Sequence, residues 1–184
     1  MSNWHRVFQP GGTYSFTLVT EHRAPLFSDP QARTILRRTL HDCRARWPFE
    51  MLAVVLMPDH LHTIWRLPPG DCAYPTRIGW WKKEFTKAWL AAGGHEQLRS
   101  ESRLRDRRRG VLQRKYWEHT IRSEEDLRRQ MDYIHYNPVK HGYVACAREW
   151  PWSTFHRYLN VGAYSQDWGY QEPDLGDVAG AFGE

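Results

Sequence analysis

Residues 49–57, FEMLAVVLM, form a nearly continuous apolar run, and this run constrains the fold more than any other part of the chain. A short apolar run of this kind is a strand buried in the middle of a sheet. Pro58 and Asp59 follow and supply a turn. Residues 60–65, HLHTIW, then return as the partner strand, closed off by Pro68, Pro69 and Gly70. A chain with this hairpin at its centre has to build a sheet around it.

The flanking segments fit that requirement. Residues 12–19, GTYSFTLV, alternate and are rich in aromatic and β-branched types, which predicts a strand. Ser28, Asp29 and Pro30 make a helix start, and Ala32, Ile35, Leu36, Leu40 and Cys43 recur at helical spacing behind it. Thr76 is a candidate cap for a second helix carrying Ile78, Trp81, Phe85 and Trp89, stopped at Gly93 and Gly94. Residues 116–121, YWEHTI, predict another strand. Ser123 with Asp126 resembles a capping box that opens a third helix, whose apolar face is Leu127, Met131 and Ile134. The order strand, helix, strand, strand, helix, strand, helix gives an α+β domain: an antiparallel sheet with helices on one side, a ferredoxin-like (RRM-like) core. Its expected extent is residues 1–160, with 161–184 as a C-terminal tail; the aromatic-rich segment after Trp150 is expected to pack back on the body.

A length of 184 residues suits one core plus appendages. With 41% hydrophobic and 26% charged residues the chain is globular rather than disordered. No apolar run reaches the roughly 18 residues that span a bilayer, and the first residues, MSNWHRVFQPGG, lack the apolar core of a secretory signal. Cys43, Cys72 and Cys146 are odd in number and far apart, as in a reduced cytoplasmic protein rather than a disulfide frame.

Net charge is +5 with a pI of about 9.2, which favours a polyanionic partner. The charge concentrates in residues 99–115, RSESRLRDRRRGVLQRK, where Arg103, Arg105, Arg107, Arg108, Arg109, Arg114 and Lys115 crowd together. A stretch so poor in apolar residues is expected to be a mobile, solvated loop. It is also a candidate for tracking phosphates.

Two places carry possible chemistry. His60 and His62 are two apart on a strand, so they point to the same face about 6.6 Å apart along the chain, close enough to converge on one ion. Taken alone, His-x-His on a strand is more often just two histidines, but here the pair follows a tight turn off a buried strand. In DYIHYNPVKHG, Tyr133 and Asn137 are spaced i, i+4 and share a helix face, whereas Tyr136 points about 100° away from Asn137. Tyr133 also reads as a core aromatic, and Asn137 before Pro138 as a helix end, since the residue before proline is biased away from α geometry.

PDHLH, then YWEHTIR, then YIHYNPVKHG, with WPWSTFHRY beyond, resemble in order and spacing the REP-associated tyrosine transposases, relatives of the small single-tyrosine HUH transposases. The resemblance runs from GGTYSFTLVT to about Tyr158. It implies a metal-dependent nuclease and transposase on single-stranded DNA beside a REP hairpin, working through a 5′-phosphotyrosine. It implies Tyr133 as nucleophile, and His60, His62 and Asn137 as ligands of Mg²⁺ or Mn²⁺. Asn137 stands where relatives usually carry the longer Gln, and the basic stretch is longer than the family pattern, so its role is not carried over from it. Lys140 joins the basic residues as a candidate DNA contact. No nucleotide cofactor and no membrane are expected, and either a monomer or a homodimer fits. A hairpin-binding protein without turnover is the alternative; a relaxase or replication initiator is a poorer match, since those are usually larger.

Overall fold

The hairpin of the apolar run sits inside a four-stranded antiparallel sheet. A computed structural model describes residues 8–176 of the chain. Its strands are β1 (Thr13–Val19), β2 (Glu50–Leu56), β3 (His60–Arg66) and β4 (Trp117–Thr120), in the order β2-β3-β1-β4. The turn at Pro58 and Asp59 is closed by the Met57 amide donating to the His60 carbonyl at 2.8 Å. The amides of Phe27 and Thr20 donate to the carbonyls of Pro58 and Asp59, both at 2.8 Å, so the turn is held from outside as well.

Helix α1 (Pro30–Arg46) links β1 to β2, and α2 (Tyr74–Ala91) follows β3. Asp29 caps α1 by accepting from the amides of Gln31 and Ala32. Helix α2 starts two residues before Thr76: Pro75 occupies its first turn, and the Asp71 carboxylate accepts from the Ala73 amide just ahead of it. Gly94 follows α2 because the Trp89 ring lies where a Cβ would stand, at 2.1 Å. A short helix α3 (Glu101–Arg105) precedes β4, and α4 (Glu124–Lys140) follows it, capped by Ser123. A last short helix, α5 (Phe155–Asn160), lies near the end of the described chain.

The α+β class and the antiparallel sheet are as the sequence predicts; the placement of helices on one side is not. Tyr14, Phe16 and Leu18 of β1, with Leu61 and Trp65 of β3, pack with α1 and α2. Ala53 and Val55 of β2, with Ile64 of β3, pack with Tyr133 and Ile134 of α4 on the opposite face. The reason lies in the strand that follows the apolar run: β3 is buried at every residue except Arg66, so both faces need a cover.

Residues 99–115 also depart from the expected solvated loop. Val111 and Leu112 are buried in the core beside α2, each such side chain contributing roughly 1.5–3 kcal/mol. The Val111 carbonyl accepts from the Glu21 amide, and Arg103 pairs with the buried Glu21 carboxylate. Two apolar residues among many cations are enough to anchor the segment.

Beyond Trp150 the chain does pack back. Tyr164 donates to the Asp132 carboxylate at 2.8 Å and stands 3.0 Å from His135 Nδ1; His135 Nε2 lies 2.9 Å from Thr154 Oγ1. Burial drives the His135 pKa down to about 3, with the Arg157 and His156 charges adding to the effect. This buried network fixes the far side of α4. The expected tail is described as far as residue 176; its remaining residues, and the first seven of the expected domain, lie outside the described part.

Candidate active site

Strand alternation sends His60 and His62 to the face of the sheet covered by α4. β3 is a central strand, and His62 stands between Thr17 of β1 and Val55 of β2 in the register. Thr17 Oγ1 lies 2.8 Å from His62 Nδ1, and Asp59 Oδ1 lies 2.6 Å from His60 Nδ1. Both imidazoles are therefore gripped at Nδ1, and a ring hydrogen held there leaves Nε2 as the donor for a ligand. Burial by itself raises the Asp59 carboxyl, but its hydrogen bonds and charge pairing with His60 and Arg23 outweigh that and hold it below its usual value.

Helix α4 continues through Pro138 and ends at Lys140; beyond the cap residue His141, Gly142 with a φ of +70° closes a C-terminal motif, its amide donating to Val139 and the Tyr143 amide to Pro138. Tyr133 and Asn137 therefore share a helical face, as their spacing predicts. That face meets the histidines. Asn137 Oδ1 is 3.3 Å from His60 Nε2. The His62 and Tyr133 rings stand edge to face at 5.5 Å, and the His60 and His62 rings at 4.9 Å. All four side chains are buried.

The donors suit a divalent cation. With a proton on Nδ1 beside Asp59, His60 Nε2 offers a lone pair, and Asn137 Oδ1 opposite is also an acceptor. In that tautomer the two atoms, 3.3 Å apart, would both offer lone pairs to a cation. The Asn137 amide nitrogen is buried with no hydrogen-bond partner among the described residues, while its oxygen faces His60. Among the described residues no three His, Cys, Asp or Glu side chains gather into a metal-holding group, and Asn137 Oδ1 is an amide oxygen that could join the two histidines. Two imidazoles and an amide oxygen suit Mn²⁺ well and Mg²⁺ acceptably.

Not every predicted site residue lies where the sequence suggested. Lys140 is not part of the basic stretch: its Nζ donates to the Tyr133 hydroxyl at 3.1 Å and lies 4.7 Å from the ring centre. Arg103, Arg108, Arg109 and Arg114 line a cleft of about 580 Å³ against α2. Arg105 and Arg107 are exposed near it, and Lys115 lines a neighbouring cleft. Sequence reading missed Thr17, Asp59 and His141, whose ring is 5.4 Å from that of His60. Asp59 could have been found from its place beside His60; Thr17 had no local signal, because only strand pairing brings it to His62. The α2 lysines of the cleft, Lys82, Lys83 and Lys87, were also missed. Burial lowers the Lys82 pKa to about 8, with the Arg103 charge adding and Glu21 opposing.

Comparison with known proteins adds a common pattern. The IS200-like transposase family model matches residues 9–137. A Haemophilus influenzae protein named as a REP-associated tyrosine transposase is 38% identical, covering 97% of this chain and all of that one. The REP-associated tyrosine transposase of Escherichia coli is 36% identical over 91% of each chain. A solved structure of a REP-associated tyrosine transposase bound to a REP hairpin superposes with a TM-score of 0.76 at 35% identity, covering 96% of this chain and 97% of that one.

Proposed function

The chain belongs to the IS200-like transposase family, among the REP-associated tyrosine transposases, and from that premise we propose that it cleaves and rejoins single-stranded DNA beside a REP hairpin, with Tyr133 as nucleophile. The observation that carries the reading is the meeting of α4 with β3: Asn137 on His60 at 3.3 Å, and the Tyr133 ring beside that of His62 with its hydroxyl under the Lys140 ammonium. His60, His62 and Asn137 would hold Mg²⁺ or Mn²⁺, which when bound polarises the scissile phosphate and offsets its charge.

The protein's own groups do the rest. The Tyr133 oxygen attacks phosphorus, forming a phosphotyrosine on the 5′ side as the bond to the 3′ oxygen breaks. The phenol gives up its proton, and the departing 3′ oxygen takes one up to become a hydroxyl. A phenol has a pKa of about 10, and the Lys140 ammonium at 3.1 Å stabilises the negative charge that develops on its oxygen. One ester replaces another, so rejoining needs no nucleotide. Tyr133 has no exposed surface, so DNA meets it only after the atoms covering it move. Among the described residues no helix is long and apolar enough to cross a membrane. A cytoplasmic setting and a monomer or homodimer complete the proposal.

The test is incubation with Mn²⁺ and an oligonucleotide carrying a REP hairpin and an unpaired flank. A covalent protein–DNA adduct and a cut in the flank are expected, with little cutting of the same sequence as a full duplex. Tight binding without either product would leave the chain a hairpin-binding protein; equal cutting of the duplex would contradict single-strand chemistry.

A further inference from the structure

The basic cleft lies between α2 and the anchored segment that precedes β4. Lys82, Lys83 and Lys87 come from α2; Lys83 and Lys87 are on the helix face away from its core residues Trp81, Phe85 and Trp89, and Lys82 stands half-buried at the flank of the core face. Arg103, Arg108, Arg109 and Arg114 face them, and among the described residues no acidic side chain lines the cleft. Glu21, Asp106 and Glu96 pair with Arg103, Arg108 and Arg109 respectively. Among the described residues no ion pair engages Lys83, Lys87 or Arg114. Lys82 donates to the carbonyls of Gln113 and Arg114, tying the two walls together.

Among the described residues no aromatic side chain lines this cleft. Gln113 lines it and also a second cleft of about 270 Å³, where Lys115 and Arg23 stand with Tyr116 and Trp117. Thr17 lines that second cleft and holds His62 at 2.8 Å. The two clefts thus share Gln113 as a common wall, and Thr17 links the second to His62; together they make one basic path.

We propose that this path divides the work on a DNA hairpin: the α2 cleft seats the phosphate backbone of the paired stem, and the second cleft takes the unpaired flank on its way to Tyr133. The division follows from the lining. Unpaired bases are held by stacking on aromatic rings, which only the second cleft offers, whereas a paired stem hides its base faces and presents phosphates. This inference rests on the hairpin-processing reading above, but its test does not need cleavage.

The experiment uses the full chain with Tyr133→Phe, without metal, and compares it with the same protein carrying Lys83→Glu and Lys87→Glu. Both lysines are exposed, and circular dichroism checks that the fold is kept. Affinities are measured for a DNA hairpin with an unpaired flank and for the flank alone. Phosphate binding is independent of sequence, so the hairpin need not be the natural one. The advantage of hairpin over flank is expected to fall about tenfold at 0.1 M salt, and the hairpin salt slope by up to roughly 0.9 for each phosphate no longer neutralised. Equal weakening for both DNAs would overturn the division of work; no weakening for either would overturn the cleft as a DNA site. A protein that shows the expected weakening but never cuts in its Tyr133 form would keep this inference and defeat the transposase reading.

Discussion

The two faces of the sheet are built to different tolerances. On the α4 face, four buried side chains meet within a few ångströms, two of them fixed from behind by Thr17 and Asp59. On the α2 side, an open cleft collects cations on long flexible stems, some paired with acids. A reaction centre needs atoms held in place. A polyanion needs only positive potential along its path. Damage should therefore be abrupt on one face and graded on the other.

The largest effect belongs to His62. Replacing it with Ala removes a candidate ligand from the centre of the sheet, and cleavage should drop by about a thousandfold or more, with hairpin binding largely kept. Gel assays of cutting and binding under saturating Mn²⁺ read the two separately; undiminished cutting would break the contrast. Asp59→Asn is the subtler probe of the same face. It removes the carboxylate that orients His60, and Mn²⁺ affinity should fall about 10- to 100-fold, as removal of such a partner does in other metal sites. A metal titration followed by electron paramagnetic resonance gives the value, and an unchanged affinity would mean that Asp59 serves only the turn.

On the cleft side, replacing Arg107, Arg108 and Arg109 together with Ala should weaken matched and scrambled hairpins alike. The salt slope should decline by up to roughly 0.7 to 0.9 for each phosphate that these side chains neutralise. Weakening confined to the matched hairpin would show that they read sequence, and an unchanged slope would remove them from the DNA path.

The same contrast explains what could be read from the sequence. His60 with His62, and Tyr133 with Asn137, were legible because each pair is set by the period of one element: two on a strand, four on a helix. What joins the pairs is tertiary. Nothing local says that α4 covers the histidine face, although the unbroken burial of β3 demanded a second cover. Pro138 gave reason to doubt the helix at Asn137; packing of Tyr133 and Ile134 on the sheet and the close at Gly142 carry it through. The cleft was half legible. The arginines of residues 99–115 announced themselves by density, but Lys83 and Lys87 are ordinary lysines on the outside of an amphipathic helix until Val111 and Leu112 bring the segment against them.

Because DYIHYNP holds two tyrosines, the central claim comes down to which one joins the DNA. Tyr136 is half-buried on another face of α4, its ring 6.4 Å from Trp168 rather than at the histidines. Trapping the adduct with a hairpin oligonucleotide and Mn²⁺, then mapping the modified peptide by mass spectrometry, should put the phosphate on Tyr133. Tyr133→Phe should give no adduct while still binding DNA, and Tyr136→Phe should retain measurable adduct. A phosphate found on Tyr136 would contradict the account.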